Sequence, residues 1–259
     1  MSTAALVLGG WALAVVLMFI LWWVQHVKRD AGVVDVGWCA GIGLVVILYA
    51  FGTDGWGPRR LVVATLGSLW ALRLAAYLLR DRVVGKEEDG RYHRLRTHWG
   101  TRADLYFLVF FQSQTLLVVL FSIPFLVLLR DPMPGFRIAE GLGVLVWIVA
   151  LAGEMAADRT LARFRADPQH RGRTCRAGLW RWSRHPNYFF EWVHWWAYVL
   201  MGIGAPYGWL TLLGPLTMLV FLLAVTGIPY TEAQALRSRP DYREYQRTTS
   251  AFIPWLPRA

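Results

Sequence analysis

The chain has 259 residues, 56% of them hydrophobic and 15% aromatic, with a formal net charge of +10 and a mean hydropathy of +0.37. This composition excludes an ordinary soluble domain and a disordered chain and points to a lipid bilayer as solvent. No nucleic-acid motif or soluble domain receives the positive charge, so no nucleic-acid partner is expected.

Seven apolar segments follow one another at about 4–24, 33–51, 61–79, 105–129, 138–157, 188–204 and 208–228, each about the length a spanning helix needs. The expected fold is all-α: a polytopic membrane bundle of seven helices forming a single domain over residues 1–259. The first segment has no basic stretch before it and is followed by six more, so it reads as a span rather than a secretory signal. The linkers after the odd-numbered helices and the C-terminal tail carry most of the arginine, whereas the opposite linkers hold Arg59, Arg60, Arg130 and Arg137. The positive-inside rule therefore predicts the N-terminus outside and the C-terminus in the cytoplasm, with the long basic loops at about 80–104 and 158–187 also inside. The two cysteines, Cys39 and Cys175, predict neither a disulfide nor a zinc site. The six histidines form no metal-binding box.

Polar residues punctuate the spans in chain order. Asp35 opens the second helix within Asp35-Val-Gly-Trp38, Arg73 lies near the middle of the third, and Gln112 and Gln114 lie inside the fourth. Arg73 either serves function or forms a buried pair with an acid such as Asp35, and the glutamines suit hydrogen bonds between helices. Gly141-Leu-Gly143 opens a span rather than a strand–turn–helix, so it reads as helix packing and not as a dinucleotide fingerprint. Glu154 and Asp158 share a face of the fifth helix. They suit hydrogen bonds from a sugar or amide, or an ion pair with Arg159 or Arg163.

The most informative stretch is Gly178 to His194. Pro186 suits the first turn of a helix, which puts Arg184 and His185 at an N-terminus with anion-binding geometry. Asn187, Glu191 and His194 follow on one face. The tryptophans at 180, 182, 192, 195 and 196 suit an aromatic belt at headgroup level. The polar tail from Pro229 carries Tyr242, Tyr245, Phe252, Ile253 and Trp255, and is expected to pack back under the bundle.

At Arg184-His-Pro-Asn-Tyr188 the sequence resembles the C-terminal region of the steroid 5-alpha-reductase family, best over Glu140 to Pro254 within a family-like region of about 140–256. That resemblance implies a membrane oxidoreductase that takes NADPH and reduces an activated carbon–carbon double bond of a hydrophobic, lipid-like substrate. It implies cofactor contacts at Asp158, Arg165, Arg173, Asn187 and Glu191, with Glu154 standing where animal members have Asn. Arg184, His185, Tyr188, Glu232 and Tyr245 join that set, Glu232 only if about two residues are inserted. The first half is similar to a bacterial branch, through Asp35-Val-Gly-Trp38, Arg73-Leu74 and Gly85 to Tyr92. This implies a bacterial cytoplasmic membrane with membrane lipids as neighbours, and makes Asp35 and Tyr77 the nearest candidates for polarising a substrate carbonyl. The alternative is an S-adenosylmethionine-dependent methyltransferase of the isoprenylcysteine carboxyl methyltransferase type, which shares an Arg-His-Pro-x-Tyr turn.

Overall fold

The computed structural model describes residues 1–258, and those residues form ten α-helices and no strand. In chain order these are α1 (Thr3–Lys28), α2 (Val33–Gly52), α3 (Gly57–Leu78), α4 (Gly90–Trp99), α5 (Ala103–Leu129), α6 (Ile138–Ala166), α7 (Pro186–Met201), α8 (Leu213–Val220), α9 (Ile228–Ser238) and α10 (Tyr242–Thr248). Six stretches are long and apolar enough to cross a membrane: Thr3–Lys28, Val33–Gly52, Gly57–Val83, Gly90–Leu129, Ile138–Ala166 and Gly208–Ser238. The segment at 188–204 forms α7, whose 16 residues span about 24 Å at 1.5 Å per residue.

Local chemistry sets the ends. Ser2 caps α1 by accepting from the Ala5 N–H at 3.2 Å, and α6 opens on a capping box between Arg137 and Glu140. The last apolar segment departs from the expected continuous helix. A 3-10 turn precedes α8, a widened π turn at Phe221–Val225 ends it, and the chain restarts at Ile228 with Pro in the first turn of α9. Gly227 is required at that break, because a Cβ there would lie 2.4 Å from the Leu222 carbonyl oxygen.

The chain divides into two compact units, Met1–Phe136 with Gly204–Thr211, and Arg137–Ile203 with the chain from Leu212 on. In the first, α2 packs against α1, α3 and α5. Gln112 of α5 reaches the Val15 carbonyl of α1 at 3.5 Å, as expected of a helix-bridging amide. In the second, α6 and α7 form the main pair. Gly143 permits their approach, since a Cβ there would lie 2.6 Å from the Ala197 carbonyl oxygen, which is the packing role read from the sequence.

At the end of the first unit where α3 begins and α5 stops, Arg59 and Asp131 are each 1% exposed and paired at 3.6 Å. Arg59 also donates to the carbonyls of Met133 (2.6 Å) and Gly135 (2.7 Å). A buried ion with these partners is tolerable, and one without them is not. Arg59→Ala is therefore expected to lower the unfolding free energy by about 3–5 kcal/mol. Chemical denaturation in detergent checks this, and a loss as small as the ~1 kcal/mol of a surface ion pair would contradict it.

Candidate functional site

The turn before α7 is built by the chain's own tail. The Arg184 N–H donates to the Ser250 carbonyl at 2.8 Å, the Ser183 hydroxyl donates to the Phe252 carbonyl at 2.8 Å, and the Tyr245 hydroxyl reaches the carbonyls of Trp180 and Ser183. The Arg184 side chain donates Nε to Glu232 Oε1 at 2.6 Å and Nη1 to the carbonyls of Gln246 (2.8 Å) and Thr249 (2.6 Å). Glu232, on α9, also meets His185 Nε2 at 3.2 Å and accepts from Gln246 at 2.7 Å and Tyr242 at 3.4 Å. The His185 ring stacks on Tyr188, with centroids 5.3 Å apart, and the Tyr188 hydroxyl pairs with Thr231. The expected anion site at Arg184 and His185 thus meets an internal carboxylate. Glu232 balances Arg184, and the helix start is joined to α9 and α10.

Burial is the dominant influence on His185 and lowers its pKa, against the opposing pull of Glu232. Burial raises the Tyr242 and Tyr245 hydroxyls, which stay protonated. Burial raises the Cys175 thiol too, so this cysteine is a neutral core residue rather than a nucleophile.

Deeper along α6 and α7, Glu154, Asp158 and Glu191 are buried at 4%, 4% and 7% exposure. Asn187 donates to Asp158 Oδ1 at 3.2 Å, and Glu191 accepts from Trp195 Nε1 at 3.0 Å. Arg159 and Arg163, the alternative partners of the α6 carboxylates, are exposed. His194 contacts the Tyr198 hydroxyl at 3.1 Å in the core. Trp180 and Trp195 are buried, so neither belongs to a lipid-facing belt, while Trp182 is exposed.

At the end of α6 a cavity of about 390 Å³ is lined by Arg165, Arg171, Arg173 and Arg239, with the stacked rings of Phe164 and His170 on its wall. Asp167 is the lining acid, and it faces His170 at 3.5 Å. Burial and then the neighbouring Arg165 lower the Arg239 pKa, against the opposing pull of Tyr242, Asp241 and Cys175. Arg165 and Arg173 were expected from the sequence. Arg171 and Arg239 were not, because one lies in an irregular loop and the other follows α9, where no periodicity marks them.

In the first unit Asp35 accepts from Arg91 at 2.7 Å, Arg82 at 3.3 Å and the Tyr92 hydroxyl at 2.7 Å. Tyr77 is not its partner; that ring lies beneath the Arg73 guanidinium at 5.6 Å. Nor is Arg73 the pair of Asp35, a place taken by Arg82 and Arg91. The tyrosine that meets Asp35 is Tyr92, 4% exposed, delivered by α4. Asp89 starts that helix by accepting from the Arg91 N–H at 2.9 Å, and it stays ionised because Arg91 outweighs the burial that would raise its pKa. The signal for Tyr92 lay in the Gly85–Tyr92 stretch, where Asp89 stands just before a helical run. Among the described residues no group of three or more His, Cys, Asp or Glu side chains is arranged to hold a metal ion.

The profile of the family described as "Protein of unknown function (DUF1295)" matches residues 21–249. An uncharacterized protein of Schizosaccharomyces pombe is 26% identical over 280 aligned positions, covering 95% of this chain and 79% of the yeast protein. No solved structure matches the chain.

The neutral, buried His185 makes stability depend on pH. The unfolded imidazole takes up a proton near 6.5 while the folded one resists it, so stability is fully present above that value and is lost as the pH falls toward the lower folded pKa. Melting curves from pH 8 to 5 are expected to show a decline that is smaller in His185→Asn; equal declines in both proteins would contradict this.

Proposed function

We propose that this chain, which belongs to the DUF1295 family, is an NADPH-dependent membrane reductase acting on an activated carbon–carbon double bond of a lipid-like substrate. The observation that carries the reading is the arginine-lined cavity at the end of α6, about two helical turns beyond the buried Asp158–Asn187 pair. Four guanidinium groups suit a polyphosphate, and the Phe164–His170 stack suits the flat face of a base. S-adenosylmethionine carries no phosphate and bears a sulfonium cation, so this pocket offers it little.

When bound, the dinucleotide supplies hydride. The chain's own residues do the rest. Arg165, Arg171, Arg173 and Arg239 hold the phosphates, and Asp158, Asn187, Glu154 and Glu191 hydrogen-bond ribose hydroxyls and the carboxamide. The carbon beside the hydride acceptor takes a proton from solvent, which completes the reduction.

We place the arginine-rich loops and the C-terminal tail in the cytoplasm, where a soluble nucleotide is available, and the N-terminus outside, on the arginine asymmetry. This requires α7 to cross as well, as the sixth of seven spans in chain order. The Ser183–Ser250 bridge supports it: the chain leaves along α7 and returns through α8 and α9 to the same end. The membrane we assign is the bacterial cytoplasmic membrane.

Thermal unfolding in detergent tests the cofactor. NADPH at about 100 times its Kd is expected to stabilise the protein by about 2.7 kcal/mol. Arg165→Gln and Arg173→Gln are each expected to weaken that binding about tenfold or more without changing the ligand-free melting point. Stabilisation by S-adenosylmethionine and not by NADPH would overturn the reading.

A further inference from the structure

The tail was expected to tuck its aromatic residues under the bundle, and it does so only in part. Tyr242, Tyr245 and Phe252 are buried, with Phe252 set against Phe189 and Trp192. Ile253, Trp255 and Leu256 are 56%, 69% and 66% exposed. They are held in that position. The Trp255 N–H donates to the Trp182 carbonyl at 2.9 Å, the Arg258 N–H donates to the Thr248 carbonyl at 2.8 Å, and Pro254 and Pro257 stiffen the strand between. Trp182 is itself 38% exposed and stands four residues before the start of α7. Two tryptophans, an isoleucine and a leucine therefore face outward from a tethered, non-helical strap.

The charge around this strap has one sign. Arg181 flanks Trp182, Arg258 follows Leu256, and Arg247 adjoins Thr248, the residue that holds Arg258; all three arginines are exposed. The exposed acid of α10, Glu244, is already paired with Arg176 at 3.2 Å. Indole rings settle at the headgroup level of a bilayer, and arginines beside them are attracted to anionic lipid. We propose that Ile253–Arg258, together with Trp182, forms an interfacial anchor that lies in the headgroup layer of an anionic bilayer. It does not cross the membrane and does not depend on which cofactor the protein takes. Its consequence is mechanical. The strap is continuous with Ser250 and Phe252, whose carbonyls accept from the Arg184 N–H and the Ser183 hydroxyl, so an anionic surface holds the turn that starts α7.

The test uses full-length protein in nanodiscs, with a nitroxide attached at Trp255→Cys or, separately, at Leu256→Cys. The native Cys39 and Cys175 are both buried, and labelled wild type supplies the background. Power saturation compares access of oxygen, which enters the bilayer, with access of a water-soluble nickel chelate. In phosphatidylcholine discs containing phosphatidylglycerol, both labels are expected to favour oxygen. The oxygen-to-nickel ratio is expected to fall several-fold in pure phosphatidylcholine or when Arg247 and Arg258 are changed to Gln. Nickel-favoured access in anionic discs would overturn the proposal by placing the strap in water. An oxygen preference indifferent to lipid charge and to the arginines would overturn the anionic-surface assignment. Spin–spin broadening at both labels that disappears in discs holding one copy, with nickel access then restored, would instead make the strap a contact between copies.

Discussion

The Arg184 guanidinium sits one-tenth exposed beside Glu232, 48 residues away along the chain, and much of the second unit is arranged so that neither charge is buried alone. A charge in a low-dielectric setting costs several kcal/mol unless a counter-charge and hydrogen bonds answer it. Satisfying Arg184 draws in α9 through Glu232 and the end of α10 through two carbonyls. Bringing Glu232 to that place needs the break at Gly227, where no side chain fits. The Tyr245 bonds to Trp180 and Ser183 then close the loop before α7 from below. The same constraint orders the first unit, where Asp35 gathers Arg82, Arg91 and Tyr92 at one end and Arg59 meets Asp131 at the other.

This constraint also separates two kinds of arginine. Arg59, Arg82, Arg91 and Arg184 have carboxylates beside them and act as fasteners. Arg165, Arg171, Arg173 and Arg239 share a cavity in which Asp167 is the lining acid. The helix-start turn that first suggests a phosphate site thus also has a structural task.

Six of the seven expected spans were legible because hydrocarbon demands length and apolarity, both of which a sequence displays directly. The break at Phe221–Val225 was not, since Phe-Leu-Leu-Ala-Val continues the apolar run and only Gly227 and Pro229 hint at an interruption. In the site, Asn187 and Asp158 were legible through helical spacing and family resemblance. The Arg184–Glu232 pair required knowing how α9 folds back, which no local periodicity encodes. Tyr77 stood beside Asp35 only through family resemblance, whereas the tyrosine that bonds Asp35 is Tyr92, in a charged loop that no apolar periodicity marks. The loop forms a capped helix that carries Tyr92 to Asp35.

The proposed function places a phosphorylated dinucleotide in the second unit, and energy transfer from the protein's tryptophans to reduced nicotinamide tests it during a titration of purified, detergent-solubilised protein. NADPH is expected to give saturable sensitised emission, displaced by excess NADP+, weaker with NADH and diminished in a variant lacking Arg165 and Arg173. No saturable transfer with either nucleotide, from a protein whose melting curve shows it folded, would contradict it.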